Sequence, residues 1–315
     1  MAMLIDGTWS QQDSLVDAEG RLQRPVAAFR NWITADGAPG STGSGGFKAE
    51  PGRYHLYVAR ACPWAHRTTI FREIKGLQSM IGLSVTHWLV TDNGWTFEPG
   101  PGVVADPLQS TEFIWQLYKR SDPNHTGRAT VPVLWDKDTS QIVSNESAQI
   151  IRIFNSAFDG IGAAEGDYYP SGLQPEIDEV NARIYRAVNN GVYRAGFATS
   201  QEAYEEAFRE LFETLDWLEA RLASQRFLIG QRLTEADWRL FTTLIRFDPV
   251  YFGHFKCNLR EIRDYSALSR YLSELYHLPG VAETVDFFHI KHHYYASHRR
   301  INPTGIVPLG PELAL

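Results

Sequence analysis

The 315-residue sequence has only two cysteines and no long apolar segment, and both shortages exclude classes of protein. Cys62 and Cys257 alone cannot form a disulfide framework or a four-cysteine zinc site. No apolar run approaches the roughly 18 residues of a membrane span. The first residues lack a basic stretch followed by an apolar one, so no secretory signal is expected. We therefore expect a cytoplasmic protein, because a lone thiol stays reduced there.

An excess of positive charge is also missing. Lys and Arg number 30 and Asp and Glu 37, which gives a net charge of −7 and argues against a nucleic-acid or anionic-membrane partner. Hydrophobic residues make up 43% of the chain, which is enough for a sizeable core and excludes global disorder. The 9 Trp, 14 Tyr and 17 Phe residues suggest an aromatic-lined pocket, although a large core would also use them.

The periodicity of apolar residues predicts an α/β region followed by a helical one. The predicted elements are strands over 54–59, 81–90, 130–136 and 141–143, and helices over 63–76, 148–154, 176–192, 201–223 and 234–247. The helix at 234 is marked by a capping signature, Thr234 followed by Asp237. An α/β order that gives way to helices indicates two domains.

Four segments follow from this pattern. Residues 1–50 are predicted to be an N-terminal extension of little regular structure, and residues 51–165 an α/β domain. That domain carries a Gly- and Pro-rich insertion over about 91–127, which contains a possible short helix. Residues 170–300 are predicted to be a helical domain, and residues 301–315 a tail.

Cys62 is the strongest candidate for chemistry. It lies between a predicted strand and a predicted helix and precedes Pro63, which suits the first helical position. The N–H groups and positive dipole end of a helix start favour an anion, so we expect a lowered thiol pKa and a reactive thiol. The alternative is a buried structural cysteine. Ala65 stands where a resolving cysteine would be, so the second thiol must come from outside, and glutathione is the natural supplier.

Two further dipeptides suit the same chemistry. Val131-Pro132 could be the cis-proline that thioredoxin-like proteins place beside the active cysteine, where the backbone of the preceding residue is free to pair with a peptide. The alternative is an ordinary strand-edge proline. Glu146-Ser147 opens a predicted helix, where it could hold a carboxylate and an ammonium group or simply cap the helix. The order Cys-Pro, Val-Pro and Glu-Ser, at the spacing of a thioredoxin fold, favours the functional interpretations.

Several segments resemble the glutathionyl-hydroquinone reductases, the Xi class of the glutathione transferase superfamily. The resemblance covers about residues 25–307. It is carried by residues 60–67 (RACPWAHR), 130–136 (TVPVLWD), 144–147 (SNES), 291–298 (KHHYYASH) and 301–306 (INPTGI). It implies a thioredoxin-like α/β N-terminal domain plus an all-α C-terminal domain, with glutathione as co-substrate. By analogy with the superfamily, it also implies a homodimer.

The resemblance also implies roles for individual residues. Cys62 matches the catalytic nucleophile. Five positions match the glutathione site, with Trp95 packing on glutathione, Arg128 at its glycyl carboxylate, Val131 at its cysteinyl part, and Glu146 and Ser147 at its γ-glutamyl part. Tyrosines surround the aromatic substrate, namely Tyr193, Tyr251 and Tyr294 or Tyr295, which the motif does not separate. Tyr193 and Tyr294 are also expected to act in catalysis.

The reaction that this resemblance implies is glutathione-dependent reduction of S-glutathionyl-hydroquinones. A mixed disulfide between Cys62 and glutathione would form, and glutathione disulfide would be released. Two other functions compete with it. A glutathione-conjugating transferase would activate glutathione with a hydroxyl group, and a non-catalytic transferase-like interaction module would need no thiol at position 62.

The histidine-rich tail could also be interpreted as a metal site. His289, His292, His293 and His298, with His254 and Cys257, include ligand types that zinc accepts. Their spacing matches no reliable zinc pattern, and the Glu of an H-E-x-x-H motif is missing. We therefore expect no metal.

Overall fold

A four-stranded mixed sheet organises the first of two units into which the chain divides. The computed structural model describes residues 2–11, 16–108 and 110–313. The first unit holds the described residues of 1–13, 25–166 and 283–289, and the second those of 14–24, 167–282 and 290–315. Within the described ranges, no helix is both long and apolar enough to cross a membrane.

The first unit combines the sheet with a small hairpin and helices. Its strands are β1 (Met3–Ile5), β2 (Thr8–Ser10), β3 (Tyr54–Val58), β4 (Ile81–Val85), β5 (Val133–Asp136) and β6 (Gln141–Ser144), and its helices are α1 (Pro63–Ile74), α2 (Ile114–Ser121) and α3 (Ser147–Ser156). Strands β1 and β2 pair with each other, while the main sheet has the order β4-β3-β5-β6. All five residues of β3 are buried, as expected for a central strand.

The strand directions bring several chain segments to one edge of the main sheet. Strand β3 runs parallel to β4 and antiparallel to β5, with Tyr57 opposite Val133. Strand β6 runs antiparallel to β5, with Ser144 opposite Leu134. The segments that follow β3, β4 and β6 and the segment that precedes β5 therefore meet at this edge. Carboxyl ends of strands are where α/β sheets usually place their ligand sites.

The second unit is helical. Its helices are α4 (Gln174–Ile184), α5 (Gly191–Phe197), α6 (Gln201–Ser224), α7 (Glu235–Leu244) and α8 (Ser266–Tyr276), together with residues 290–297 of α9 (Phe287–Ser297). The predicted cap of α7 is confirmed, because Thr234 and Asp237 form a capping box. The Asp237 carboxylate also accepts hydrogen bonds from the Leu228 amide and the Tyr271 hydroxyl, both at 2.9 Å, so it anchors neighbouring segments as well.

Two π-helical turns interrupt this unit, over Tyr185–Asn189 and Phe247–Tyr251. The uninterrupted helix predicted over 176–192 is therefore wrong. The helix predicted over 234–247 ends at Leu244 before the second π-helical turn begins. A π turn shifts the face that later side chains present, and apolar spacing alone does not reveal that shift. Such turns are frequent at functional sites.

Other predictions need smaller corrections. The strand predicted over 81–90 ends at Val85, after which the Thr86 and His87 amides donate to the carbonyls of Val58 and Thr96. The strand predicted from 130 begins at Val133, because Pro132 has no N–H to donate. The possible helix inside the insertion is confirmed as α2. The hairpin β1–β2 was not expected in the N-terminal extension.

Candidate functional site

Cys62 lies at the sheet edge where these segments meet. It is the N-cap of α1, with extended backbone angles of φ −76° and ψ 120°, and Pro63 takes the first helical position as predicted. The Cys62 amide donates to the Ala59 carbonyl, and its carbonyl accepts from the His66 amide, each at 3.0 Å. The turn after β3 thus delivers a half-buried thiol to the start of the helix.

The thiol contacts the backbone before Pro132. The Cys62 Sγ–H donates to the Val131 carbonyl oxygen at 3.6 Å. The Val131–Pro132 peptide bond is cis, which is the first of the two alternatives that the sequence left open. The sequence therefore predicted correctly that Cys62 and Val131 are neighbours, although 69 positions separate them.

Glu146 and Ser147 stand at the start of α3, which follows β6 at the same edge. Glu146 is the N-cap, and its Oε1 accepts a hydrogen bond from the Ala148 amide at 3.0 Å. The Ser144 hydroxyl accepts from the Glu146 amide at 3.2 Å. Ser147 is buried in the first turn of the helix. The carboxylate does cap its helix, and this local role is compatible with holding a ligand ammonium group through its other oxygen.

Trp95 lies in the insertion, and Arg128 comes directly after it. Trp95 is half-buried and follows a tight turn in which the Gly94 amide donates to the Thr91 carbonyl at 2.9 Å. Its own carbonyl accepts from the Ile114 amide at 3.0 Å, which ties the turn to the start of α2. Arg128 is also half-buried and directly follows Gly127. An arginine there supplies the charge and fork geometry that a carboxylate prefers.

The second unit brings three of the four candidate tyrosines together. The Tyr251 and Tyr294 hydroxyls are 2.9 Å apart, and Tyr193 also hydrogen-bonds to Tyr294. Tyr251 and Tyr294 are buried, whereas Tyr193 is half-buried. We call these three residues the tyrosine triad. Tyr251 ends one π-helical turn, and Tyr193 follows the other within α5.

Tyr295 is not part of this triad. Its hydroxyl reaches the Pro249 carbonyl at 3.4 Å, and its ring packs against His254 with centroids 4.7 Å apart. Adjacent residues on a helix point in directions about 100° apart, so only one of the pair can face the triad. The structure therefore separates two tyrosines that the sequence motif left together.

Burial keeps two phenols of the triad, those of Tyr251 and Tyr294, protonated. It raises the pKa of both Tyr251 and Tyr294 well above the ordinary value, because a phenolate would lose its hydration there. The positive charge of Arg246, a buried residue, acts in the opposite direction on both. A neutral phenol is a hydrogen-bond donor and a proton source, so the cluster suits a reaction that ends in protonation.

Sequence reasoning missed two residues beside the triad. Phe255 packs against all three phenol rings, with centroid distances of 5.4 to 5.6 Å. Arg246 hydrogen-bonds to the Thr242 carbonyl at 2.8 Å and is fully buried. The sequence feature that points to Arg246 is a charged residue inside a predicted apolar helix.

The histidines of the tail do not gather as metal ligands. His254 Nε2 lies 3.2 Å from His298 Nδ1, while His289 Nε2 hydrogen-bonds to the Pro101 carbonyl at 2.6 Å. Cys257 is fully buried, and burial raises the pKa of its thiol. Among the side chains that the structure describes, no group of three His, Cys, Asp or Glu residues could hold a metal ion.

Comparison with known proteins places these features in context. The family model described as glutathione S-transferase, N-terminal domain, matches residues 61–157. The model described as glutathione S-transferase, C-terminal domain, matches residues 201–274. With the mixed sheet and the helical region described above, these matches confirm the expected fold class.

Curated relatives and solved structures match over nearly the whole chain. Glutathionyl-hydroquinone reductase YqjG of Escherichia coli (strain K12) is 58% identical over 99% of this chain and 95% of that protein. Glutathionyl-hydroquinone reductase PcpF of Sphingobium chlorophenolicum is 53% identical over 100% of this chain and 98% of that protein. The glutathione-bound structure of YqjG has a TM-score of 0.92 at 57% identity and covers 99% of this chain and 96% of its own. The Xi class GST from Natrialba magadii has a TM-score of 0.90 at 45% identity and covers 99% of this chain and 94% of its own.

Proposed function

This chain belongs to the Xi class of the glutathione transferase superfamily, and from that membership we propose that it reduces S-glutathionyl-hydroquinones to hydroquinones at the expense of glutathione. The observation that carries the proposal is the position of Cys62. Its thiol stands at a helix start, against the carbonyl that precedes cis-Pro132, and Ala65 replaces a resolving cysteine. A thiol in that setting suits disulfide exchange with an external thiol.

The reaction has two thiol steps. The Cys62 thiolate attacks the sulfur of the glutathionyl-hydroquinone, forms an S–S bond and breaks the bond between that sulfur and the ring carbon. The ring carbon keeps the electron pair and takes a proton, which gives free hydroquinone. A glutathione thiolate then attacks the mixed disulfide on Cys62. This second step releases glutathione disulfide and restores the cysteine thiolate, so glutathione is the reductant overall.

The tyrosine triad is proposed to hold the hydroquinone and supply the proton. Tyr193, as its half-buried member, would donate to the substrate, and Tyr294 would resupply Tyr193 through their hydrogen bond. Tyr251 completes the chain behind Tyr294 and keeps its hydroxyl oriented. We do not assign Tyr295 a substrate contact, because its side chain contacts Pro249 and His254 rather than the triad.

Five residues of the first unit are proposed to bind glutathione. The backbone of Val131 would pair with the cysteinyl part of glutathione beside the Cys62 thiol. Glu146 and Ser147 would hold the ammonium and carboxylate of the γ-glutamyl part, where the helix start adds N–H donors. Arg128 would bind the glycyl carboxylate, and Trp95 would pack on the tripeptide.

The test measures hydroquinone release from S-glutathionyl-hydroquinone with added glutathione, comparing the wild type with Cys62→Ala and Cys257→Ala. We expect release from the wild type and Cys257→Ala, and none from Cys62→Ala. Intact mass under limiting glutathione should show one glutathionyl adduct that is absent from Cys62→Ala. Full release by Cys62→Ala would overturn the proposal. Thioether formation without Cys62 would favour a conjugating transferase instead.

We also propose that the protein is a cytoplasmic homodimer that uses no metal. Light scattering coupled to gel filtration tests the dimer, and a monomer at micromolar concentration would contradict it. Dialysis against a chelator should leave hydroquinone release unchanged.

A further inference from the structure

The N-terminal hairpin is docked on the segment that precedes Arg128. The Leu4 amide donates to the Gly127 carbonyl and the Gly127 amide to the Leu4 carbonyl, both at 2.9 Å. The Gly7 amide donates to the His125 carbonyl at 3.0 Å, and the Leu4 side chain is fully buried. This docking requires glycine at position 7, because its φ is +71° and a Cβ there would lie 1.9 Å from the Pro123 carbonyl oxygen.

Trp9, on the second strand of the hairpin, contacts the turn that precedes Trp95. Its indole N–H donates to the Asp92 carbonyl at 3.0 Å. Its ring lies against Gly94, where an added Cβ would be 3.1 Å from the indole. The ring also stacks on Trp115, with centroids 5.7 Å apart and an interplanar angle of 18°. Trp9 is therefore wedged between the turn and the first residues of α2.

A third contact of the extension lies at the start of α3. The Asn145 amide donates to the Phe29 carbonyl and the Phe29 amide to the Asn145 side chain, each at 3.1 Å. Asn31 continues this pairing through its amide, which donates to the Val143 carbonyl at 2.9 Å. The extension thus contacts the chain next to Trp95, next to Arg128 and next to Glu146.

From these contacts we propose that the N-terminal extension orders the glutathione site and that Trp9 is a positioning residue for Trp95. The inference rests on the proposed function, since it takes Trp95, Arg128 and Glu146 as glutathione contacts. It assigns a role to a segment whose composition predicted little regular structure.

The turn before Trp95 needs an external support because it is exposed to solvent. Residues 91–93 are exposed, and the hydrogen bonds within the turn are local ones between the Asn93 amide and the Thr91 hydroxyl and between the Gly94 amide and the Thr91 carbonyl. A short exposed turn with few long-range bonds samples other conformations more readily. A ligand that needs one conformation must then supply the ordering free energy. Trp9 fixes the turn before glutathione binds.

The experiment measures glutathione affinity by calorimetry in proteins that carry Cys62→Ser, so that no disulfide forms. Trp9→Ala is expected to raise the glutathione Kd about tenfold, because binding must then order the turn. Trp9→Phe retains a ring but loses the bond to Asp92, and we expect an intermediate effect of about threefold. Trp217→Ala is the matched control, because Trp217 is a half-buried tryptophan of the other unit that lies beside Arg183 and Arg221.

Two additions separate positioning from general stability. Gly7→Ala should displace the hairpin with Trp9 intact and raise the Kd as Trp9→Ala does, while thermal unfolding checks that each variant is folded. In a Trp95→Ala background, Trp9→Ala should weaken glutathione binding little further, because Trp9 acts on binding by positioning Trp95.

The positioning role would be overturned if folded Trp9→Ala kept the Kd of its parent protein. It would also be overturned if Trp9→Ala raised the Kd as much in the Trp95→Ala background as it does with Trp95 present. Failure of the Cys62→Ser protein with an intact hairpin, and of the wild type measured beside it, to bind glutathione would overturn the proposed function itself, a result distinct from either of these.

Discussion

The phenol oxygens of Tyr294 and Tyr251 lie 2.9 Å apart in the helical unit, and both side chains are buried. Tyr193 bonds to the same oxygen of Tyr294, so Tyr294 is the central member of the chain. A hydroxyl has one proton to donate and two lone pairs to accept with, so Tyr294 can donate to one neighbour while it accepts from the other. The chain can therefore pass a proton toward its half-buried end at Tyr193.

Tyr294→Phe should lower kcat for hydroquinone release about 100-fold, because it removes the donor behind Tyr193. Tyr295→Phe is the matched control, since it changes the adjacent residue by the same atom. The Tyr295 hydroxyl contacts the backbone of Pro249, at 3.4 Å, and of His254 rather than the triad, so kcat should stay within about twofold. Steady-state kinetics on both variants checks the prediction. Equal decreases of kcat in the two variants would contradict the proposed role of Tyr294 in proton supply.

The two cysteines should differ sharply toward an alkylating reagent. Cys62 is partly accessible at a helix start, whereas Cys257 is fully buried and burial raises the pKa of its thiol. Because only a thiolate that the reagent can reach will react, folded protein should take up one alkyl group, at Cys62. Denatured protein should take up two. Mass spectrometry after brief treatment with iodoacetamide checks this, with Cys62→Ala expected to stay unlabelled while folded. Label on Cys257 in the folded protein would refute the prediction.

The first unit was the more predictable part of the molecule. Strands and helices of the α/β region follow from local apolar spacing, and the Cys-Pro and Val-Pro dipeptides lie where that topology joins the elements. The contact between Cys62 and the Val131 carbonyl follows from strand order, because β3 and β5 pair antiparallel and bring both dipeptides to one edge. In the second unit, the Thr234–Asp237 capping box was predicted correctly as well, because it depends on residues close together in the sequence.

The rest depended on contacts that no local pattern encodes. The indole N–H of Trp9 donates to the Asp92 carbonyl, 83 positions away in the sequence. The residues around Trp9 contain no pattern that predicts this partner. The separation of Tyr294 from Tyr295 depends on the rotation of α9, which is set by packing. The π-helical turn at Phe247–Tyr251 shifts the register by an amount that periodicity does not resolve.

Glu146 combines a cap with a proposed ligand contact, and two substitutions can separate these roles. Glu146→Gln keeps an oxygen that can accept from the Ala148 amide but removes the negative charge offered to the γ-glutamyl ammonium. We expect it to weaken glutathione binding about ten- to a hundredfold with little loss of thermal stability. Glu146→Ala should lose both affinity and stability. Calorimetry and thermal unfolding of both variants test this, and normal affinity in Glu146→Gln would exclude Glu146 from the site.

His55 makes the stability of the first unit sensitive to acid. It is buried on β3 with its Nε2 2.8 Å from the Ser84 hydroxyl, and burial lowers its pKa to about 4, with Asp106 acting in the opposite direction. The unfolded chain has a His pKa of about 6.5. Stability contributed by the neutral ring is therefore fully present above the unfolded pKa and is lost as the pH falls toward the folded one.

The loss that His55 contributes between about pH 7.5 and pH 4.5 should be about 2–3 kcal/mol. His55→Gln keeps a hydrogen-bonding group for Ser84 but does not titrate, so its free energy of unfolding should fall less over that interval. Urea unfolding at several pH values measures the difference, with the exposed His277→Gln as control. The buried His254, whose pKa burial also lowers to about 4, should leave a residual acid sensitivity in the variant. An identical pH dependence in wild type and His55→Gln would show that His55 is not the group responsible.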